Sequence, residues 1–194
     1  MQLKLIIVLL LIPFSSYSQA LRDSILVKSN IYTIMYSETL EGPLWIEYKV
    51  NCFKSKFSRK GLKFYTDSSI KTSNDSDYSN NVYDKGHMAP AASFSCDKTE
   101  LVRTFSYVNC SVQNKYLNRG VWKSLEERER TLYSKYNNVN IRIRVIYSSA
   151  STKLKTGATV PDGYYKIIQY LNKKEVYYFP NSKPVSNKIE FYLK

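Results

Sequence analysis

His87 is the only histidine in the 194-residue chain, so any imidazole chemistry depends on this one position. A neutral imidazole, with an ordinary pKa near about 6.5, accepts a proton at neutral pH. Gly86 allows backbone to approach a ligand closely, Lys85 adds a cation that suits phosphate, and Pro90 prevents a continuing helix. These residues predict a tight, turn-forming segment that binds an anion. A lone histidine, however, more often has a structural role, hydrogen-bonded to a neighbour.

A second block of residues that could do chemistry follows along the chain: Asn109, Gln113, Asn118, Glu126 and Arg130. A helical pattern from Arg119 to about Tyr136 places Glu126 roughly 80° around the axis from Asn118, with Arg130 one turn further. We therefore expect these three side chains to border one site. Taken singly, Asn118 reads as a helix cap, Glu126 as a surface partner of Arg130 and Asn109 as a turn residue. The joint spacing favours a functional role.

The two blocks together carry a resemblance to a known family. Residues 84–91, Asp-Lys-Gly-His-Met-Ala-Pro-Ala, resemble the Asp-Arg-Gly-His signature of the DNA/RNA non-specific endonucleases. These are the secreted bacterial nucleases and mitochondrial endonuclease G, which share a ββα-metal (His-Me finger) site. The stretch from Asn109 to Arg130 resembles the family's Asn-x-x-Pro-Gln, Asn-x-x-x-Trp and Leu-Glu runs in order and spacing. A weaker resemblance continues to Asn181.

The resemblance implies roles for individual residues. His87 would be the general base for phosphodiester hydrolysis in DNA and RNA. Asn118 matches the only direct protein ligand of the metal, Mg²⁺ or another divalent cation such as Mn²⁺, and Glu126 matches the residue that holds the metal-bound waters. Asn109 and Gln113 match positions that line and brace the same site. We assign Asn109 to the catalytic group and Gln113 to the substrate-binding group.

The chain departs from the family pattern at two positions. Lys85 replaces the signature arginine, and Val112 replaces the proline before Gln113. A lysine is a point charge without the bidentate geometry of arginine, yet we assign Lys85 to both the catalytic and the phosphate-binding groups. Arg130 completes the catalytic group. Arg59 matches the family's phosphate-contacting arginine loosely, and it reads equally well as part of a solvated charge run.

The chain is strongly basic, with a formal net charge of +13. Such a charge attracts nucleic acid, anionic polysaccharide or membrane headgroups and does not distinguish between them. With the site residues, it favours DNA and RNA as partners, bound without sequence preference. The alternative is an exported polyanion-binding protein with weak or no catalysis, which the replacement at Lys85 keeps open. No basic amphipathic helix is apparent, so we expect no stable membrane association.

Residues 1–20 have the pattern of a secretory signal peptide, with Lys4, an apolar run over 5–14 and small residues towards a cleavage point near 18–20. This pattern predicts a secreted or periplasmic protein. Residues 21–194 show no repeat or linker, and we expect one domain. Cys52, Cys96 and Cys110 allow at most one disulfide, and their spacing does not decide the pairing or fit a structural zinc site.

Hydrophobic periodicity predicts an α+β fold with a mixed, mainly antiparallel sheet core, to which the resemblance adds the ββα-metal motif. Alternation of apolar and polar residues is clearest over 44–50 and 141–147. An Asp97–Glu100 capping box predicts a helix over 98–103. Further strands are predicted over 31–36, 104–111, 164–171, 176–179 and, at an edge, 189–193.

Overall fold

A six-stranded antiparallel sheet forms the main layer of the fold in the computed structural model, which describes residues 21–194. Its strand order is β1-β2-β3-β6-β7-β8, so β3 and β6 are the one pair of neighbouring strands in this sheet that are not consecutive along the described chain. The strands are β1 (Ile25–Lys28), β2 (Tyr32–Ser37), β3 (Gly42–Lys49), β6 (Val139–Ile146), β7 (Gly163–Tyr170) and β8 (Lys173–Pro180). The predicted signal peptide lies outside the described residues.

The alternating sequence of the central strands produces a sheet with one buried face. In β3, Ile46 and Tyr48 are buried while Glu47 is exposed, and in β6 Ile143 is buried between exposed arginines. Ile46 pairs with Ile143 across the two strands. The strand predictions for 44–50 and 141–147 are therefore confirmed, because one apolar face buries against the core while the other stays in water.

One long helix, α3 (Lys123–Tyr136), covers the buried face of the sheet. Trp122, Leu125 and Leu132 form the predicted apolar stripe, and the Trp122 ring lies 5.2 Å from the ring of Tyr164 on β7. One glutamate of this helix, Glu129, lies on the same buried side as these apolar residues. This residue is fully buried because the apolar face of the sheet carries a lysine at its centre, and the two form an ion pair.

A separate two-stranded antiparallel sheet, β4 (Tyr83–His87) with β5 (Cys110–Asn114), carries the histidine. The prediction of a tight turn around His87 is thus wrong, since the segment is extended and the turn follows it. His87 pairs with Cys110 in the register. Gly86 is required here because a Cβ at this position would lie 2.6 Å from the Cβ of Gln113 and closer still to its amide oxygen.

Two predicted strands are 3₁₀ turns instead. In the strand predicted over 104–111, residues 107–109 form such a turn and only the last two residues belong to a strand, since β5 begins at Cys110. The segment Ile189–Tyr192 is also a 3₁₀ turn, with a single bridge from Leu193 to Tyr177.

The chain after β5 completes a ββα unit. A short turn, α2 (Lys115–Leu117), leads into a widened π-helical turn over Asn118–Trp122, where Gly120 departs from helical geometry, and α3 follows. The helix predicted from Arg119 is therefore regular only from Lys123. Helix α1 (Lys98–Arg103) forms as predicted, with Asp97 as its cap, but Glu100 accepts a hydrogen bond from Asn51 instead of closing the capping box. The predicted α+β class is confirmed.

A disulfide joins Cys52 to Cys96, and Cys110 is a buried thiol. The bond connects the segment after β3 to the chain just before α1, across 44 residues of sequence. Within residues 21–194, no helix is both long and apolar enough to cross a membrane.

Replacing both bonded cysteines (Cys52→Ser with Cys96→Ser) is expected to lower the free energy of unfolding by about 2–4 kcal/mol, because the unfolded chain loses a cross-link over a long loop. Urea denaturation of the oxidised wild type and of the double variant measures the difference. Reductant should destabilise the wild type to the same level and leave the variant unchanged. Equal midpoints for oxidised wild type and variant would contradict this expectation.

Candidate active site

A cavity of about 1000 Å³ lies where β4, the π-helical turn and α3 meet. Most of the side chains singled out in the sequence line it: Arg59, Lys85, His87, Asn118, Glu126 and Arg130. The expectation that Asn118, Glu126 and Arg130 border one site is therefore confirmed. Asn109 and Gln113 lie outside the cavity wall, fully buried.

The imidazole of His87 is held between aromatic rings at the cavity. Its ring centre lies 4.8 Å from that of Phe64 and 4.9 Å from that of Phe105. The Nε2 atom is shielded from solvent and has no hydrogen-bond partner among residues 21–194. Burial, with a smaller contribution from the positive charge of Arg59, lowers the pKa of His87 to about 3. Burial is thus the main reason that this ring stays neutral at pH 7.

Asn109 fixes the backbone that follows His87. Its amide nitrogen donates to the carbonyl oxygens of Ala89 (2.9 Å) and Thr104 (2.8 Å), and its amide oxygen accepts from the backbone N–H of Ala89 (2.8 Å). All of these contacts are buried, so the side chain does not reach a substrate. Asn109 is a positioning residue, which corrects its assignment to the catalytic group.

Gln113 packs against the strand that carries His87. It is fully buried, and its amide atoms have no hydrogen-bond partner among the described residues. Its side chain occupies the space beside Gly86 that a larger residue would fill. This placement corrects the assignment of Gln113 to the substrate-binding group, because the buried side chain packs against β4 and is not accessible to a ligand.

Asp84, to which the sequence reasoning assigned no role, orients the candidate metal ligand. Its carboxylate accepts the amide N–H of Asn118 (2.9 Å) and two N–H groups of Arg119 (2.7 and 2.6 Å). Burial raises the pKa of Asp84, but these hydrogen bonds outweigh it and hold the pKa below its usual range. The signal was present in the sequence, since Asp84 opens the signature motif.

Because Asp84 fixes the amide nitrogen of Asn118, the amide oxygen is the atom left for a ligand. No residue within 21–194 donates a hydrogen bond to that oxygen. Asn118 also lies inside the π-helical turn, where it caps no helix with its side chain. The helix-cap interpretation of Asn118 is therefore wrong.

Glu126 is a largely buried carboxyl group on the cavity wall. Burial raises its pKa to about 7, opposed chiefly by the positive charge of Lys166 behind it, while Glu129 adds to the rise. No ion pair joins Glu126 to Arg130 in the described part of the chain. The interpretation of Glu126 as an exposed salt-bridge partner is wrong, because the side chain turns into the protein.

Lys85 already has an anionic partner. Its ammonium contacts the carboxylate of Asp75, which also accepts a hydrogen bond from the Tyr107 hydroxyl (2.6 Å). The rings of Phe64, Tyr78 and Tyr107 surround the ammonium at 5.4–5.9 Å. A phosphate must therefore compete with Asp75 for Lys85.

Two arginines of the cavity, Arg59 and Arg130, have no carboxylate within 4.0 Å among residues 21–194. They are the cavity cations that are open to a phosphate.

The donor set at the cavity fits a hard divalent cation. The Asn118 amide oxygen and the Glu126 carboxylate are oxygen donors, which Mg²⁺ and Mn²⁺ prefer, and Mg²⁺ retains several of its waters when a protein binds it. Within residues 21–194 no cluster of three or more His, Cys, Asp or Glu side chains is present. The Asn118 amide oxygen and the Glu126 carboxylate are thus two oxygen donors on the cavity wall that would suit such a cation.

Comparison with known proteins identifies the family of this chain. Residues 15–192 match the sequence profile of the DNA/RNA non-specific endonucleases, and the chain belongs to this family. It is 27% identical over 115 residues to mitochondrial endonuclease G of Bos taurus, which covers 57% of this chain and 38% of that protein. Over 120 residues it is 30% identical to the mitochondrial nuclease EXOG of Danio rerio, covering 58% and 35%. A nuclease of Nostoc sp. is 27% identical over 154 residues, covering 77% and 56%.

A solved chain has the same fold. It comes from the crystal structure of the EndoG/EndoGI complex and superposes with a TM-score of 0.76 at 24% identity, covering 87% of this chain and 79% of that one. The match supports the α+β architecture with its His-Me finger. The chain spans between about one third and just over half of the lengths of the curated relatives it matches.

Glu126→Gln is expected to stabilise the metal-free protein increasingly as pH rises. The folded protein retains a proton on Glu126 up to a pKa of about 7, whereas the unfolded chain releases it near about pH 4.3. Between these values the folded state binds more protons, so Glu126 lowers the free energy of unfolding as pH increases. We expect the variant to gain about 2–3 kcal/mol over the wild type by about pH 7.5.

Chemical denaturation between pH 4.5 and 7.5 in the presence of a chelator measures this difference. Glu127→Gln is the matched control, because Glu127 lies on the exposed side of the same helical turn and pairs only with Lys123. A stability difference for Glu126→Gln that does not change with pH would show that the carboxyl group titrates normally.

Proposed function

We propose that this protein is an exported, divalent-metal-dependent endonuclease that hydrolyses phosphodiester bonds in DNA and RNA without sequence preference. The observation that carries the proposal is the His87 imidazole on the wall of one cavity with Asn118 and with two arginines that lack carboxylate partners in the described chain. Family membership supports it, as do the relatives described as endonuclease G and nuclease.

In this proposal His87 is the general base. Its pKa of about 3 keeps the imidazole neutral at pH 7, ready to take a proton from the water that attacks phosphorus. Arg59 and Arg130 bind the negative oxygens of the phosphate. Because the Phe64 and Phe105 rings hold the imidazole on two sides, the base is oriented before substrate arrives.

A divalent cation would be held by the Asn118 amide oxygen, with Glu126 hydrogen-bonded to its water ligands. A bound Mg²⁺ or Mn²⁺ neutralises charge on the phosphate and stabilises the leaving oxygen. Asp84 keeps the Asn118 amide in the orientation that presents oxygen and not nitrogen. Lys166 opposes the effect of burial on Glu126 and so favours the ionised form that accepts hydrogen bonds from water.

The positive charge supports nucleic acid as the substrate, and the disulfide supports an exported location. A net charge of +13 attracts polyanions through their backbones, which carry no sequence information. A disulfide persists in oxidising compartments, and this chain contains one between Cys52 and Cys96. With the signal-peptide pattern of residues 1–20, this supports a secreted or periplasmic enzyme.

His87→Ala is expected to lower cleavage by about a hundredfold or more, the usual size of a general-base contribution, and to leave nucleic-acid binding nearly unchanged. The affinity comes from many Lys and Arg side chains, and one neutral imidazole adds little. Purified protein is incubated with plasmid and with RNA in Mg²⁺, in Mn²⁺ and in chelator, and binding is measured separately. Near wild-type cleavage by the variant would show that His87 is not the general base. Cleavage by the wild type in chelator would show that the reaction does not need a divalent metal.

A second candidate function is polyanion binding without catalysis, and the contact between Lys85 and Asp75 favours it, because the signature cation is already neutralised. The two candidates are separable. The binding function would be established if the wild type binds nucleic acid but cleaves none with any metal tested, while Lys85→Arg cleaves it.

If the enzyme is active, Lys85 and Asp75 are expected to act as a coupled pair. Lys85→Ala alone should lower kcat/KM by less than about tenfold, since the lysine must leave Asp75 to reach phosphate. In an Asp75→Asn background the same change should cost about 1.5–3 kcal/mol, the size of a lost hydrogen bond to a charged group.

Steady-state kinetics of the single and double variants on DNA and RNA measures this coupling. Asp67→Asn is the charge-matched control, because Asp67 is exposed and bonds only to Ser69. An equal cost of Lys85→Ala in both backgrounds would show that Asp75 does not restrain the lysine.

A further inference from the structure

The loop that follows Cys52 alternates aromatic and basic residues. Within this basic loop (residues 53–63), Phe53 and Phe57 are separated by lysines, and Arg59 and Lys60 follow. Both phenylalanines are exposed, Phe53 by 53% and Phe57 by 43%. A single exposed ring is common on protein surfaces, so its position relative to the active-site cavity decides whether it can contact a ligand.

Of the two rings, only that of Phe57 belongs to the active-site cavity. It lines the wall together with Arg59, on the cavity that also contains His87. A ligand whose phosphate is held by Arg59 therefore presents its neighbouring groups to Phe57. Phe53 lies at the start of the loop and is not part of the cavity wall.

The loop holds Phe57 in place although it has no regular secondary structure. The Cys52–Cys96 disulfide fixes its start. The backbone N–H groups of Lys56 and Phe57 both donate to the carbonyl oxygen of Ser95, at 3.0 and 2.9 Å, and the Ser95 and Ser55 hydroxyls bond at 2.7 Å. A ring on backbone anchored in this way loses little conformational entropy when a ligand covers it.

We propose that Phe57 is a base-stacking platform for a nucleotide beside the phosphate that is cut, so that the enzyme prefers unpaired stretches of DNA and RNA. This inference rests on the proposed function and names the substrate form that the site selects. The surrounding lysines and arginine bind the backbone of a polyanion, and the exposed ring offers a face to any base.

Stacking on Phe57 would explain a preference for single strands and the lack of a preference for particular bases. Bases in a duplex are already stacked on each other, so a ring outside the helix reaches a base only where the strand is open. The π-face of a base differs little between the four bases, so the contact selects single strands without reading sequence.

The kinetic test compares Phe57→Ala with wild type on three substrates: a single-stranded oligonucleotide, the same chain with stable abasic sugars, and a duplex. We expect kcat/KM on the single strand to fall about tenfold or more, with a much smaller fall on the abasic chain, whose phosphates remain but whose bases are absent. Phe53→Ala, in the same loop but outside the cavity, is the matched control. An equal fall on the intact and abasic chains would overturn the proposal, since Phe57 would then act only on loop structure.

A binding test does not depend on turnover. Phe57→Trp is introduced into the His87→Ala protein, and its fluorescence is followed in chelator as each oligonucleotide is added. The parent His87→Ala protein, with Trp45 and Trp122, supplies the baseline. We expect quenching by the single strand and little by the abasic chain, and equal signals from both would refute stacking. If wild type cuts no substrate, the proposed function fails, and this measurement still decides whether Phe57 stacks on bases.

Discussion

The pairing of β4 with β5 is the constraint on which the site depends. Its register places His87 opposite Cys110, and the strand alternation sends Lys85 and His87 to one side and Asp84 and Gly86 to the other. A slip of one residue would exchange the two sides and turn the imidazole away from the cavity. Asn109 reinforces the register just after the strand, because its side chain makes two buried hydrogen bonds to the backbone of Ala89 and a third to the carbonyl oxygen of Thr104.

Beneath the cavity, a buried charge network joins the sheet to α3. The Lys166 ammonium lies 2.6 Å from Glu129 and 4.3 Å from the ring centre of Trp122, and the Tyr48 hydroxyl donates to Glu129 at 2.7 Å. Such a pair is neutral or costly as a source of stability, but removal of one partner leaves a buried charge. Its position next to Glu126 gives it a second effect, since Lys166 and Glu129 act in opposite directions on the pKa of that carboxyl group.

The sequence predicts those features that depend on local pattern. Hydrophobic periodicity identified five of the six strands of the large sheet and missed β1, and motif spacing identified His87, Asn118, Glu126 and Arg130 as neighbours. It did not show that Asn109 and Gln113 point inward, because spacing along a strand does not say which side faces a cavity. Likewise, Gly86 and Pro90 suggest a turn, and only the packing of Gln113 shows that the glycine serves an extended strand. The Cys52–Cys96 pairing joins segments 44 residues apart, and the Lys85–Asp75 contact joins a strand to a separate 3₁₀ turn, and periodicity within single elements predicts neither.

Burial has opposite consequences for the functions of two titratable groups at the cavity, His87 and Glu126. Burial disfavours the charged form of each group. It therefore keeps the imidazole of His87 neutral, as a base requires, but it also favours the protonated form of Glu126, which is a poorer hydrogen-bond acceptor than the carboxylate. A positive charge resolves the conflict, because it stabilises a carboxylate and destabilises an imidazolium. Arg59 acts in this way on His87, and Lys166 and Arg130 act in this way on Glu126. The basic residues at this site therefore set protonation states in addition to attracting a polyanion, and the fully buried Lys166 can serve only the first purpose.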